Sequence, residues 1–188
     1  VCRVKDILVE GKEGIKIGPF GSALTNKTEG EGAYKIYGQW NIVDKDFAAG
    51  KNYISTETYN ELSSYRIVSG DVLVSLMGTV GKCAVIPNDI QEGIMDSHVI
   101  KIRLNNRICS SFFEYIYDKD NSTFVYEQIQ RVKKGSIMDG LNSSIVKSLF
   151  ILLPPIKEQH TIADYLDAKC GEIDALISVR QSKIDALK

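Results

Sequence analysis

The side chains best suited to chemistry are amides, hydroxyls and ammonium groups set in glycine-anchored stretches. Ser22, Thr25, Asn26 and Lys27 form one group, and Lys35, Tyr37, Gln39 and Asn41 a second. Thr79, Lys82 and His98 stand near Gly78 or beyond it, and Lys133, Lys134 and Ser136 form a last, basic group. Carboxamides can grip adenine edges in a DNA groove, and ammonium groups guanine edges or phosphates. Ordinary solvated loops use the same residue types, so composition leaves both readings open. Catalytic patterns fail on their spacing. Gly81-Lys82 suggests a phosphate loop, but Leu76 stands where its first glycine belongs and Cys83 where a hydroxyl would hold magnesium. No G-x-S-x-G or H-E-x-x-H occurs, and Leu153-Pro-Pro-Ile lacks the Asp or Asn and the terminal aromatic of an amino-methyltransferase loop. His98 and His160 fall in no ligand spacing with Cys2, Cys83, Cys109 and Cys170, so neither a metal nor a disulfide framework is expected. Scattered cysteines predict reduced thiols in a cytoplasmic setting.

Charge narrows the options. The 188 residues carry 23 basic and 24 acidic side chains, for a net charge of −1. From Lys157 onward there are five basic and six acidic residues, which leaves eighteen of each before it. Any affinity for DNA must therefore come from cations clustered on one face. At 44% hydrophobic residues the chain can build an ordinary core, and no apolar run nears the eighteen or so residues of a membrane span. The opening at Val1, with neither an initiator Met nor an apolar leader, suggests a piece cut from something longer.

The elements that must hold these groups can be read from pattern. Ile7-Leu-Val9 and Ile15-Lys-Ile17 are short apolar stretches, followed by the turn Gly18-Pro-Phe-Gly-Ser22. Tyr34 to Ile42 alternates as a strand, with Gly38 as a bulge and Lys35, Tyr37, Gln39 and Asn41 on one face. A short helix is expected near Glu57–Ser63. Tyr65–Val68, Val72–Met77 and Lys82–Ile86, divided by glycine turns, predict an antiparallel meander, with a loop at 88–97 and a further strand at His98–Leu104. Ser111-x-x-Glu114 fits a capping box, so helices are expected over 111–118 and 122–132. Leu141–Ser144 would cap a helical turn before a strand at 148–153.

The tail has the strongest pattern. Pro154 and Pro155 end the extended run and allow a helix to start. Beyond them Leu166, Cys170, Ile173, Ile177, Arg180, Ile184 and Leu187 recur at steps of four and three, the seam of a coiled coil. Gly171 interrupts it as a point of bending or close approach. The fold class expected is α+β, a β-rich head over 1–153 followed by a coiled-coil helix over 154–188.

Four blocks in order, Gly70-Asp-Val-Leu-Val-Ser with Met77-Gly-Thr-Val-Gly-Lys82, then Lys134-Gly-Ser-Ile-Met-Asp-Gly-Leu-Asn142, then Leu153-Pro-Pro-Ile-x-Glu-Gln159 and the long helix, resemble type I restriction–modification specificity subunits. The resemblance runs from about Ile15 to the end. It implies a target recognition domain that reads one half of a split site in double-stranded DNA, and a conserved spacer helix. Family members carry two such units and this chain carries one, which leaves two options: a naturally half-length subunit, or a piece of a longer one. A second copy, or another half-subunit, would pair through the helix and supply the other half. Methylation with S-adenosylmethionine, and ATP- and magnesium-dependent cleavage, would belong to modification and restriction subunits docked on the helices. The chain itself would hold no cofactor and perform no catalysis. Two rivals remain at this point: an adaptor whose helix recruits a protein partner, and an enzyme with a methyltransferase-like site.

Overall fold

The computed structural model describes residues 1–24, 28–29, 32–133 and 140–187, with the backbone alone for Gly21, Thr28, Glu29 and Lys133. The strands among them are β1 (Cys2–Arg3), β2 (Ile15–Ile17), β3 (Thr28–Glu29), β4 (Tyr34–Tyr37), β5 (Asn52–Ile54), β6 (Val72–Ser75), β7 (Cys83–Val85), β8 (Gly93–Met95), β9 (Val99–Ile102) and β10 (Phe150–Ile151). The helices are α1 (Gln39–Val43), α2 (Thr56–Glu61), α3 (Ser110–Tyr117), α4 (Thr123–Lys133), α5 (Ser143–Ser148) and α6 (Ile156–Asp185). One sheet runs β2-β9-β6-β7 and a second β3-β5-β4-β8, while β1 pairs with β10. The pairs are antiparallel except β4–β8, which is parallel.

Strand alternation divides the apolar side chains into layers. In β6, Val72 and Val74 face a layer shared with Phe112, Phe113 and Tyr117 of α3 and with Val125 and Ile129 of α4. Leu73 faces the other way, into a layer between the sheets with Tyr37, Ala84, Met95 and Val99. In the second sheet, Ile36, Ile54 and Ile94 turn to a third layer closed by Tyr59 of α2. Lys101, in register with Leu73, is 1% exposed, and its Nζ donates to the Arg66 carbonyl at 2.7 Å. Burial lowers the pKa of this ammonium group. Asp71 is equally buried and accepts two hydrogen bonds from Arg103, at 2.7 and 2.9 Å.

Several expectations from pattern are corrected. Gly38 is no bulge, because residues 39–43 turn into α1. The Gly38 N–H donates to Asn41 Oδ1 at 2.9 Å, which closes the first turn, buries Ile42 and swings Trp40 outward. The 88–97 loop contains β8, whose parallel pairing with β4 joins distant segments that local pattern cannot connect. Helix α3 begins at Ser110 with no capping box. Glu114 instead accepts from the Val85 N–H of β7 at 2.9 Å and pairs with Lys45. The strand predicted at 148–153 shrinks to β10 because α5 persists to Ser148, with Asn142 capping it through the Ile145 N–H at 2.9 Å.

Helix α6 starts where the prolines predict, with Pro155 as its N-cap, and runs about 45 Å at ~1.5 Å per residue. Its first half lies on the head. Gln159 is completely buried, accepts from Cys109 N–H at 2.9 Å, and donates to the carbonyls of Arg107 (3.0 Å) and Pro154 (2.8 Å). Tyr115 of α3 donates to Asp167 at 2.7 Å. Leu166 and Cys170 line a groove with Phe112, Tyr115 and Ile116, so the first two seam positions serve the head. Beyond them Ile173, Ile177, Ile184 and Leu187 are half to fully exposed. Gly171 has no neighbour within 4 Å, so no close approach within the chain explains it.

Replacing Gln159 by Leu would leave three backbone groups without partners at the root of the helix. At about 1–3 kcal/mol for each buried orphan, partly relieved by relaxation, Gln159→Leu should lose about 3 kcal/mol. The expected readout is a lower urea midpoint with an unchanged slope. A loss below about 0.5 kcal/mol would mean that the helix root is held elsewhere.

Candidate nucleic-acid interface

The ends of β2, β4, β6 and β8 and the start of β9 meet at one end of the two sheets. The loops leaving them are tied backbone to backbone. Gly18 N–H donates to Val99 O at 2.8 Å, Leu76 N–H to His98 O at 3.1 Å, Asp96 N–H to Tyr37 O at 2.8 Å, and Leu141 N–H to Leu76 O at 3.1 Å. At Gly18 a Cβ would lie 1.9 Å from the Asp96 carbonyl oxygen, so only glycine permits this approach. One rim therefore carries residues from loops 18–24, 38–44, 76–82, 96–98 and 140–142.

At its centre Gln39 Nε2 donates to Thr79 Oγ1 at 3.0 Å. Thr79 Oγ1 lies 2.8 Å from Ser75 Oγ, which is fully buried at the end of β6. Gly78, at φ +67°, makes the turn that returns Thr79 to Gln39. Around the pair, Phe20 is 87% exposed, Trp40 78% and Met77 45%. Large apolar groups held in water on a rim of polar loops mark a surface for contact. Gln39, Trp40, Asn52, Asp96 and His98 line a recess of about 240 Å³ beside it. A groove along β2 and α5, lined by Lys12, Ile15, Ile17, Ser143 and Lys147, adjoins the rim through Ile17. Among the described residues neither Lys12 nor Lys147 makes an ion pair, and no carboxylate lines this groove.

The predicted contact residues divide sharply. Ser22, Gln39, Thr79 and His98 lie on or beside the rim, with Ser22 and His98 exposed. Lys35, Tyr37 and Asn41 do not. Lys35 is 3% exposed and its Nζ donates to the carbonyls of Phe47 (2.9 Å) and Ala48 (2.6 Å), with burial lowering its pKa. Tyr37 is fully buried, donates to Gln91 O at 2.7 Å, and has its phenol pushed up to about 12 by burial. Asn41 spends its amide on the carbonyls of Asp46 (2.8 Å) and Ala49 (2.9 Å). These three are internal staples: β4 is covered on both faces, which buries Lys35 and Tyr37, and Asn41 ties α1 to the 46–49 loop. Lys82 is paired with Asp118 at 3.7 Å and with Asp120. Hydrogen bonds from Lys119, then Lys82, hold the Asp120 carboxyl down at about 2. Thr25, Asn26, Lys27, Lys134 and Ser136 lie outside the described residues, and Lys133 is described by its backbone alone.

Pattern reading missed Trp40, Phe20 and Met77. Trp40 was hidden by treating 34–42 as one strand, and a Gly-x-x-Asn spacing ahead of Ile42 is the signal that reveals the helical turn. Phe20 and Met77 each adjoin a glycine turn, where an apolar side chain has little core to enter.

The family model for the type I restriction modification DNA specificity domain matches residues 18–185. The chain is 27% identical over 141 residues to the protein assigned as the type I restriction enzyme MjaX specificity subunit of Methanocaldococcus jannaschii, covering 72% of this chain and 31% of that one. It is 27% identical over 147 residues to a protein assigned as a type I restriction enzyme specificity subunit of Haemophilus influenzae, covering 77% and 35%. The chain thus spans about a third of the length of these relatives. A chain solved for the structural basis of complex assembly and conformational transition of the type I R-M system superposes with a TM-score of 0.60. The HsdS subunit from Thermoanaerobacter tengcongensis superposes at 0.57. Each is 17% identical, and each match covers 93% of this chain and 38% of the other, a likeness of fold. With the family match running from the Gly18 turn at the rim to the last turn of the long helix, the chain belongs to the type I restriction modification DNA specificity domain family.

Proposed function

We propose that this chain reads one half of a divided site in double-stranded DNA and pairs through α6 to place a second reader at a set distance. The head, residues 1–153, reads, and the helix, residues 154–188, spaces. The observation that carries the reading is the rim. Loops from both sheets converge at one end, with a hydrogen-bonding amide, exposed aromatics and a groove whose lysines make no ion pair among the described residues. Amides and aromatics suit base edges, and Lys12 and Lys147, together in the adjoining groove, suit phosphates beside them. With a net charge of −1 the attraction is local: Lys12 and Lys147 are exposed together in one groove that no carboxylate of the described residues lines.

The free half of α6 supports the pairing. Ile173, Leu176, Ile177 and Ile184 are 50–62% exposed, a stripe that a second helix would cover. Two identical copies related by a twofold axis would read an interrupted palindrome, with helix length acting as the ruler. Modification and restriction subunits would dock on the paired helices and bring S-adenosylmethionine, ATP and magnesium with them. The family match supports this chain as the specificity element, and on this reading the reaction belongs to those partners.

Trp40 is the single tryptophan of the chain, so its emission reports directly on the rim. Duplex DNA should quench it, with affinity falling steeply as salt rises. Lys12→Glu and Lys147→Glu should each weaken binding to all sequences alike and cut the salt slope by about 1. Unchanged emission, with no duplex retained in a gel-shift assay, would remove the DNA-reading assignment. Separately, Ile173→Glu with Ile177→Glu should convert pairs to monomers in sedimentation, and pairs that persist would move the interface elsewhere.

A further inference from the structure

We infer that Gln39 reads an adenine in the major groove, with its carboxamide pre-oriented by a hydroxyl relay through Thr79 and Ser75. This rests on the reading of the chain as a DNA recognition unit. The relay has one consistent direction. Ser75 Oγ, sealed at the end of β6, donates to the Met77 carbonyl at 3.3 Å. Thr79 Oγ1 lies 2.8 Å from Ser75 Oγ, a contact in which either hydroxyl can donate, and with Ser75 turned to Met77 the proton shared is that of Thr79. Its oxygen then accepts from Gln39 Nε2 at 3.0 Å. The backbone keeps this register, since Ser75 N–H donates to Lys82 O (3.0 Å) and Lys82 N–H to Thr79 O (3.1 Å).

One N–H of Gln39 is thereby used. Among the described residues no other hydrogen bond to the Gln39 side chain is present, so one N–H and the Oε1 lone pairs face the recess and the rim. Asn41, two residues on, is the contrast. Its amide is 5% exposed and consumed by Gly38, Asp46 and Ala49. A single donor beside a single acceptor complements adenine, whose N7 accepts and whose N6 donates. Guanine would set O6 against Oε1, and thymine would present an acceptor and a methyl group. Fixing the amide before contact also removes part of the ordering cost of binding.

The test is selection of bound duplexes from a randomised library by the full chain and by Gln39→Glu, Gln39→Ala, Thr79→Val and Thr79→Ser, each first shown by thermal melting to be folded. The wild-type chain should select a motif with one position restricted to adenine. Gln39→Glu should move that position toward cytosine, whose N4 donates to a carboxylate, and leave the others unchanged. Gln39→Ala should lose the restriction by about tenfold or more, Thr79→Val should relax it at that same position, and Thr79→Ser should restore it. A wild-type motif retained intact by Gln39→Glu and Gln39→Ala overturns the inference and leaves the DNA-reading assignment standing. So does an equal loss at every position for Thr79→Val and Thr79→Ser. A wild-type chain that selects no motif removes that assignment, and this inference falls with it.

Discussion

The architecture depends on the apolar layer between the two sheets. Tyr37, Leu73, Ala84, Met95 and Val99 reach into it from β4, β6, β7, β8 and the first residue of β9. Each buried side chain of this size contributes roughly 1.5–3 kcal/mol relative to exposure. Strand alternation means that none of them can be moved by one residue without turning its neighbours the wrong way. The layer therefore sets where both sheets end. Because they end together, loops from segments as far apart as residue 18 and residue 140 arrive at one rim.

Polar groups inside the head serve the same rigidity. Lys35 and Lys101 give their ammonium groups to backbone carbonyls, and Arg103 grips Asp71 with two bonds. A buried cation without such partners would be very costly, so these residues are fastened where the chain leaves the regular ladder. Glu114 does the same for the Val85 N–H at the edge of β7. The consequence for the surface is selective. Two of the 23 basic side chains, Lys35 and Lys101, are buried, and among the described residues no carboxylate lines the β2–α5 groove where Lys12 and Lys147 face outward.

The long helix is packed on the head over its first half and exposed over its second. Gln159, Ala163 and the Tyr115–Asp167 bond fix its direction as it leaves the domain. A helix held at its root by buried hydrogen bonds has a defined angle to the rim, which a flexible linker would not give. Its outer half carries Ile173, Ile177 and Ile184 in water, a cost that a second helix can offset. Rigidity at the root and exposure at the tip are what a spacing element requires.

The sequence by itself determined the local events. Glycine turns, the Val-rich run of β6, the Asn142 cap and the proline start of α6 are decided by residues within a few positions of one another, so they are legible from pattern. The exposed positions Ile173, Ile177 and Ile184 are likewise a repeat along one helix, and their pairing is a proposal. Only the tertiary structure decided which side chains of 34–42 are free. Lys35 and Tyr37 go inside because β4 is covered on both faces, and the helical turn after Gly38 buries Asn41 and Ile42 while Trp40 comes out and Gln39 is only partly covered. It also decided that Leu166 and Cys170 serve the head, and that Gln39 meets Thr79 forty residues away. The physical reason is that pairing β4 in parallel with β8, and closing a shared layer between two sheets, are contacts between distant segments. Their free energy outweighs local alternation and leaves no mark in any short window of sequence.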